Sequence, residues 1–174
     1  VAMQTNIPVF TEVAEKEISL VSDGNYNFLL EGDNLHSLYL LEKTHKGAID
    51  LIYIDPPYNT GEEDFIYDDN YVDVNDSFRH SKWLSFMSVR LNIAKSLLAP
   101  HGFIFISIDD KEASQLKMLC DEIFGENNYE KTDYIQVRYP EKTLKSDMKY
   151  HKEIEQVLIY RKSEAAQPYI KPEV

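Results

Sequence analysis

The residues best equipped for chemistry stand together at Asp55-Pro56-Pro57-Tyr58. Asp55 offers a carboxylate, Pro56 a backbone carbonyl and Tyr58 a flat aromatic ring. Neither proline can donate a ladder hydrogen bond, so a strand running into them must end. Pro57 also biases Pro56 towards extended backbone. The result is a stiff loop that carries two acceptors at fixed spacing beside a stacking surface. Such a group suits a nucleobase turned out of its helix, which needs a ring to stack on and acceptors for its exocyclic amine. An amine held by both hydrogens has its lone pair turned out of ring conjugation and can attack an electrophilic methyl carbon. The acceptors stabilise the positive charge that develops on nitrogen, so neither a cysteine nucleophile nor a metal is required.

The elements around this loop have to hold it in place. Leu51 to Ile54 is a short apolar run of the buried-strand kind, and Asp55 comes where it stops. In open α/β sheets ligands sit at that end of a strand. Upstream, Asn27 to Glu31 reads as a strand and Gly32-Asp33-Asn34 as the turn into a helix capped by Asp33 or Asn34. Leu35, Leu38, Leu40 and Leu41 give that helix an apolar face, and Gly47 closes it. This strand–helix–strand unit predicts a parallel pair.

Downstream, Arg79 to Leu98 is the strongest helix. Trp83, Phe86, Met87, Arg90, Leu91, Ala94, Leu97 and Leu98 share one stripe, and Arg90 alone in it is polar. Trp83 reads as core in preference to a base-stacking ring. Pro100-His101-Gly102 ends the helix, and Phe103 to Ile108 is a continuous apolar strand. Asp109 and Asp110 at its end either face the site or cap the next helix, and capping is preferred. Lys111 to Phe124 is that helix, with Cys120 as a buried thiol. Tyr134–Tyr139 and Gln156–Tyr160 read as an antiparallel pair, since no helix joins them.

Two loops stay open in meaning. Residues 59–78 are the longest stretch without a structural pattern and hold seven acidic residues. They read as a lid over a target base or as a solvated insertion. The 140–152 loop carries Lys142, Lys145, Lys149, His151 and Lys152, which meet phosphates or simply face solvent.

The 174 residues suffice for one domain with a sizeable core. Apolar content of 43% is ordinary for a soluble globular chain, and no apolar run is long enough for a membrane span. Cys120 is the one cysteine, which excludes an internal disulfide and a cysteine-built zinc site. No signal peptide is evident, so a cytoplasmic location is expected. The net charge of −12 argues against tight DNA binding by this piece alone, because phosphate neutralisation needs clustered Lys and Arg.

Asp55-Pro56-Pro57-Tyr58 resembles the catalytic tetrapeptide of DNA amino-methyltransferases. With Tyr53-Ile54 before it and Asn59-Thr60-Gly61 after it, the text is similar to the permuted (β-class) enzymes and to modification (Mod) subunits of type III restriction–modification systems. Gly32-Asp33-Asn34-Leu35, His80-Ser81-Lys82-Trp83-Leu84, Gly102 to Asp110 and Val157-Leu158-Ile159-Tyr160 resemble further segments of that family, in the same order. The likeness runs from about Asn27 to Lys162. It implies a three-layer, Rossmann-like α/β methyltransferase fold, incomplete, with a mostly parallel sheet and an antiparallel pair at its C-terminal end. It implies S-adenosylmethionine as methyl donor, with Asp33, Asp55 and Pro56 on the cofactor side, although Asp33 reads equally as a helix cap.

In the same terms Asp55 and the Pro56 carbonyl hold the amine, Pro57 fixes the loop and Tyr58 stacks on the base. Asp at the first motif position favours adenine N6 over cytosine N4. The implied partners are double-stranded DNA with a flipped base, a restriction nuclease subunit and a second copy of the full-length protein. The family's glycine-rich Phe-x-Gly-x-Gly turn is not found among the six glycines. The chain therefore resembles an amino-terminal catalytic portion of a longer enzyme, itself expected to be inactive. Its expected organisation is an arm over 1–24, the catalytic part over 25–163 and a tail over 164–174. Two rivals remain: a methyltransferase for protein glutamine or RNA, and a non-catalytic assembly module with a vestigial site. A nuclease finds no carboxylate-plus-lysine constellation to support it.

Overall fold

A computed structural model describes residues 8–17, 27–60, 65–67, 70–137 and 154–168. Three α-helices and six strands are present among them. They are α1 (Asn34–His45), β1 (Ile49–Ile54), β2 (Ile66–Tyr67), β3 (Asn70–Tyr71), α2 (Arg79–Leu97), β4 (Leu98–Ile108), α3 (Ala113–Phe124), β5 (Tyr129–Gln136) and β6 (Ile154–Arg161).

The main sheet has the order β1-β4-β6-β5. β1 and β4 are parallel, with Ile52 opposite Ile104 and Ile54 opposite Ile106. Nineteen-residue α2 makes the crossover between them, as a parallel pair demands. β6 runs antiparallel to both β4 and β5. The sheet is thus mixed, with one parallel and two antiparallel pairs. The excess of parallel pairing expected from sequence is absent from the described residues, because they contain a single strand–helix–strand crossover.

Alternation along the strands sorts the two faces. Ile104, Ile106 and Ile108 from β4, with Leu158 and Tyr160 from β6, pack against α2 and α3. From α2 the core takes Trp83, Met87, Leu91 and Ala94, and from α3 Leu116, Cys120, Ile123 and Phe124. Each fully buried aliphatic chain of this set contributes about 1.5–3 kcal/mol of transfer free energy. On the opposite face Leu51 and Tyr53 remain 58% and 61% exposed. The described residues therefore supply two of the three expected layers.

α1 begins where predicted. The Asp33 carboxylate accepts from the Leu35 and His36 amides at 2.9 and 3.0 Å, capping two otherwise unpaired donors. The helix ends at Gly47, whose φ of +67° suits glycine alone without strain. The Gly47 and Ala48 amides then donate to Ser96 and Leu97 at the end of α2. The polar member of the α2 stripe, Arg90, donates from Nε to Asn34 Oδ1 at 2.8 Å and lies over the Phe86 ring. It stitches α1 to α2, which explains a charged side chain on an otherwise apolar face.

Five expectations need correction. Asn27 to Glu31 is not a strand: Phe28 and Leu29 are 81% and 92% exposed, so their apolar side chains find no sheet face to cover them. The 59–78 stretch contains the antiparallel β2–β3 ribbon. Its flanks, Phe65 and Val72, are buried, joined by a bond from the Val72 amide to the Phe65 carbonyl. β4 starts at Leu98, running through Pro100-His101-Gly102, and β5 at Tyr129, each five residues ahead of the sequence reading, because pairing with β1 and with β6 sets their limits. The tail is anchored as far as Ala166, which is fully buried, and Ser163 Oγ donates to the Pro100 carbonyl. The 140–152 lysine loop and the first seven residues lie outside the described residues.

Candidate active site

The carboxyl end of β1, the carboxyl end of β4 and the start of β6 come together, as their registers require. Asp55 follows Ile54 there, Asp109 follows Ile108, and Glu155 is the second residue of β6. This places the Asp55-Pro56-Pro57-Tyr58 loop where an open α/β sheet offers its ligand crevice.

Asp55 is exposed. Tyr58 is half-buried and its hydroxyl donates to Asp55 Oδ1 at 2.8 Å, with a longer contact to Glu155 Oε2 at 3.3 Å. Burial, then the hydrogen bond and charge of Asp55, push the Tyr58 phenol far above its ordinary range. The hydroxyl therefore stays protonated and acts as a donor. Ring and carboxylate, read from sequence as two separate tools, are tied to each other. A carboxylate has about four acceptor sites, so one phenol leaves Asp55 capacity for a further donor.

The loop backbone is held from beneath. Trp83 is completely buried, and its indole N–H donates to the Pro57 carbonyl at 2.7 Å. The preference for Trp83 as core is correct, and its polar edge also grips the loop. Among the described residues no hydrogen bond reaches the Pro56 carbonyl.

Behind Tyr58 sits a network that sequence reasoning left without a role. Asn59 is buried with φ of +55°. Its Nδ2 donates to Glu112 Oε1 at 2.6 Å and to the Arg79 carbonyl at 3.4 Å. Glu112 is wholly buried, and the same Oε1 faces His80 Nδ1 at 2.7 Å. Arg79 Nε donates to His80 Nε2, so the neutral ring carries its proton on Nδ1 and donates it to Glu112. Asn59 and His80 stood in the family-like segments, but Glu112 sat in a charged run with no apolar spacing to mark it as interior.

Asp109 is buried, and its Oδ1 accepts from the Lys111 amide at 2.9 Å. That turn lies ahead of α3, whose N-cap is Glu112 without a side-chain cap bond, so the capping expected of Asp109 or Asp110 is not formed, and Asp110 is exposed. Lys111 Nζ reaches back to the Thr60 carbonyl at 3.1 Å, a third tie on the loop. Asp33 spends Oδ1 on the α1 cap. No group of three or more metal-binding side chains occurs among the described residues, and no helix in them is long and apolar enough to cross a membrane.

A family described as DNA methylase matches residues 49–174, which take in the whole of this loop and its supports. The chain belongs to the DNA methylase family. The methylase chain is 50% identical over 115 residues to the "Probable type III restriction-modification enzyme HindVI Mod subunit" of Haemophilus influenzae, covering 65% of this chain and 14% of that protein. It is 39% identical over 150 residues to the type III restriction-modification enzyme EcoP15I Mod subunit of Escherichia coli, covering 71% and 23%. It thus spans less than a quarter of the length of either curated relative. The crystal structure of a Thermus thermophilus protein described as a DNA modification methylase, complexed with S-adenosyl-L-methionine, superposes with a TM-score of 0.51. That match has 14% identity and covers 79% of this chain and 54% of the other, so it bears on the fold of the methylase chain alone.

Proposed function

We propose that the complete protein carrying this chain methylates the exocyclic N6 amine of an adenine flipped out of double-stranded DNA. The observation that carries the reading is the placement of Asp55 and the Pro56 carbonyl on a pinned loop at the carboxyl end of β1, beside the Tyr58 ring. Asp55 and Pro56 accept the two amine hydrogens, and Tyr58 stacks on the base. The positive charge that grows on nitrogen is met by the Asp55 carboxylate, with Glu155 as a second anionic neighbour. The tie from Tyr58 to Asp55 keeps ring and acceptor in one fixed relation, so little reorganisation is left for the reaction step.

S-adenosylmethionine, when bound, supplies an electrophilic methyl group on a sulfonium. The donor set suits that cation, since Asp55 and Glu155 bring two carboxylates to one end of the sheet. Asp33, Asp55 and Pro56 are the residues of this chain that would hold it. The catalytic part is 25–163, flanked by an arm over 1–24 and a tail over 164–174. Mod subunits among the relatives support a restriction–modification setting with a further subunit; a nuclease subunit as that partner, a homodimer as working state and a cytoplasmic location complete the proposal.

The test is transfer of labelled methyl to DNA by the full-length protein, followed by nucleoside analysis. N6-methyladenine is the expected product, and N4-methylcytosine would move the reading to the other exocyclic amine. Asp55→Ala should lower transfer by about 1,000-fold. Wild-type rates in that variant would end the two-acceptor mechanism.

A further inference from the structure

The polar network behind the loop breaks a rule that most of the interior obeys. Glu112 Oε2 and Asn59 Oδ1 are both buried acceptors without a hydrogen-bond partner. An unmet buried acceptor costs stability, and so does a left-handed non-glycine residue. Both occur within a few ångströms of each other, joined by the 2.6 Å bond from Asn59 to Glu112. Such local expense concentrates at functional sites, where surrounding structure imposes a conformation that the chain would not choose.

The geometry says what is imposed. Asn59 directly follows Tyr58, so its positive φ decides how the chain leaves the loop and thereby how the Tyr58 ring and the Asp55 carboxylate face outward. The Asn59 amide is fixed by Glu112, the residue just ahead of α3, and by the Arg79 carbonyl at the start of α2. His80, from the first turn of α2, closes the other side of Glu112 Oε1. Two helices that form the core thus reach through one carboxyl group to the residue beside the tetrapeptide.

Resting on the function proposed above, we infer that Glu112 is a positioning residue for methyl transfer. With Asn59 as its intermediary and His80 as its brace, it sets the aim of Asp55 and Tyr58 without touching the base. A residue with this role has a signature that a merely structural contact lacks. Removing it strands the Asn59 amide and the His80 ring N–H, so some stability is lost as well; the signature is a fall of kcat at unchanged KM that a same-shaped acceptor restores.

The experiment uses the full-length protein, with labelled-methyl transfer to DNA and thermal unfolding measured side by side. Glu112→Leu should lower kcat by about 100-fold, the scale of an ångström of misplacement. KM for DNA and for S-adenosylmethionine should stay within about two-fold, while Tm falls because two donors lose their acceptor. Asn59→Gly takes up the positive φ freely and deletes the anchoring amide, so it should show the same fall of kcat at unchanged KM. Glu112→Gln keeps an acceptor for Asn59 and should recover most of the rate. Wild-type kcat in both Glu112→Leu and Asn59→Gly would overturn the inference. So would KM values that rise in step with the fall of kcat, which marks a general loss of the site's structure. A wild-type protein that transfers nothing to DNA removes the reading beneath it, and that outcome is separate from equal rates in active proteins.

Discussion

Trp83 does two things with one side chain. Its rings fill the core between α2 and the sheet, and its N–H meets the Pro57 carbonyl. Trp83→Phe keeps most of the apolar volume and strands that carbonyl. We expect a loss of about 1–3 kcal/mol, read as a lower urea midpoint at unchanged slope. The apolar half of this role was legible in the sequence, because Trp83 sits on the stripe with Met87, Leu91 and Ala94. The polar half was not, because a stripe says which side faces inward and nothing about what the indole nitrogen meets there. Asn59 and Glu112 were harder still. Both are residue types that belong on a surface, and only long-range packing turns them inward.

Among the elements, periodicity served well wherever the chain supplies its own contacts. The helices α1, α2 and α3 begin and end close to their expected limits, and β1 appears where an apolar run stands, whereas β4 begins at Leu98, ahead of the expected Phe103. Strand limits set by a partner were not visible: β5 begins at Tyr129 because β6 meets it there, and Asn27–Glu31 is not a strand. The β1–β4 junction carries its own sharp constraint. A Cβ at Gly102 would lie 2.9 Å from the Ile49 carbonyl and 3.1 Å from the Ala99 carbonyl, both backbone. Gly102→Ala should therefore push the strands apart at their start and cost about 1–3 kcal/mol. Thermal unfolding measures this, and an unchanged Tm would show that the junction yields.

At the scale of the whole molecule, Tyr58 and Tyr160 link stability to alkali. Burial first, and then hydrogen bonds to Asp55 and Asp121, push both phenols well above their usual 10.0. The folded state keeps both protons, whereas the unfolded chain loses them above about pH 10. Their contribution is therefore complete below that value and drains away as pH rises beyond it. Denaturation midpoints should be flat from pH 7 to 9 and fall above about 10, and Tyr160→Phe should make that fall shallower. The same reasoning protects Cys120, whose burial raises its thiol and keeps it slow towards alkylating reagents in the native state.

β1 is an outer strand of its sheet, and beside it Leu51 and Tyr53 turn apolar surface to water. Such a border invites the border of a neighbouring molecule. Produced by itself at high concentration, this chain should clump through that seam. Leu51→Lys, which puts a charge on the exposed face beside that border, should keep it dispersed.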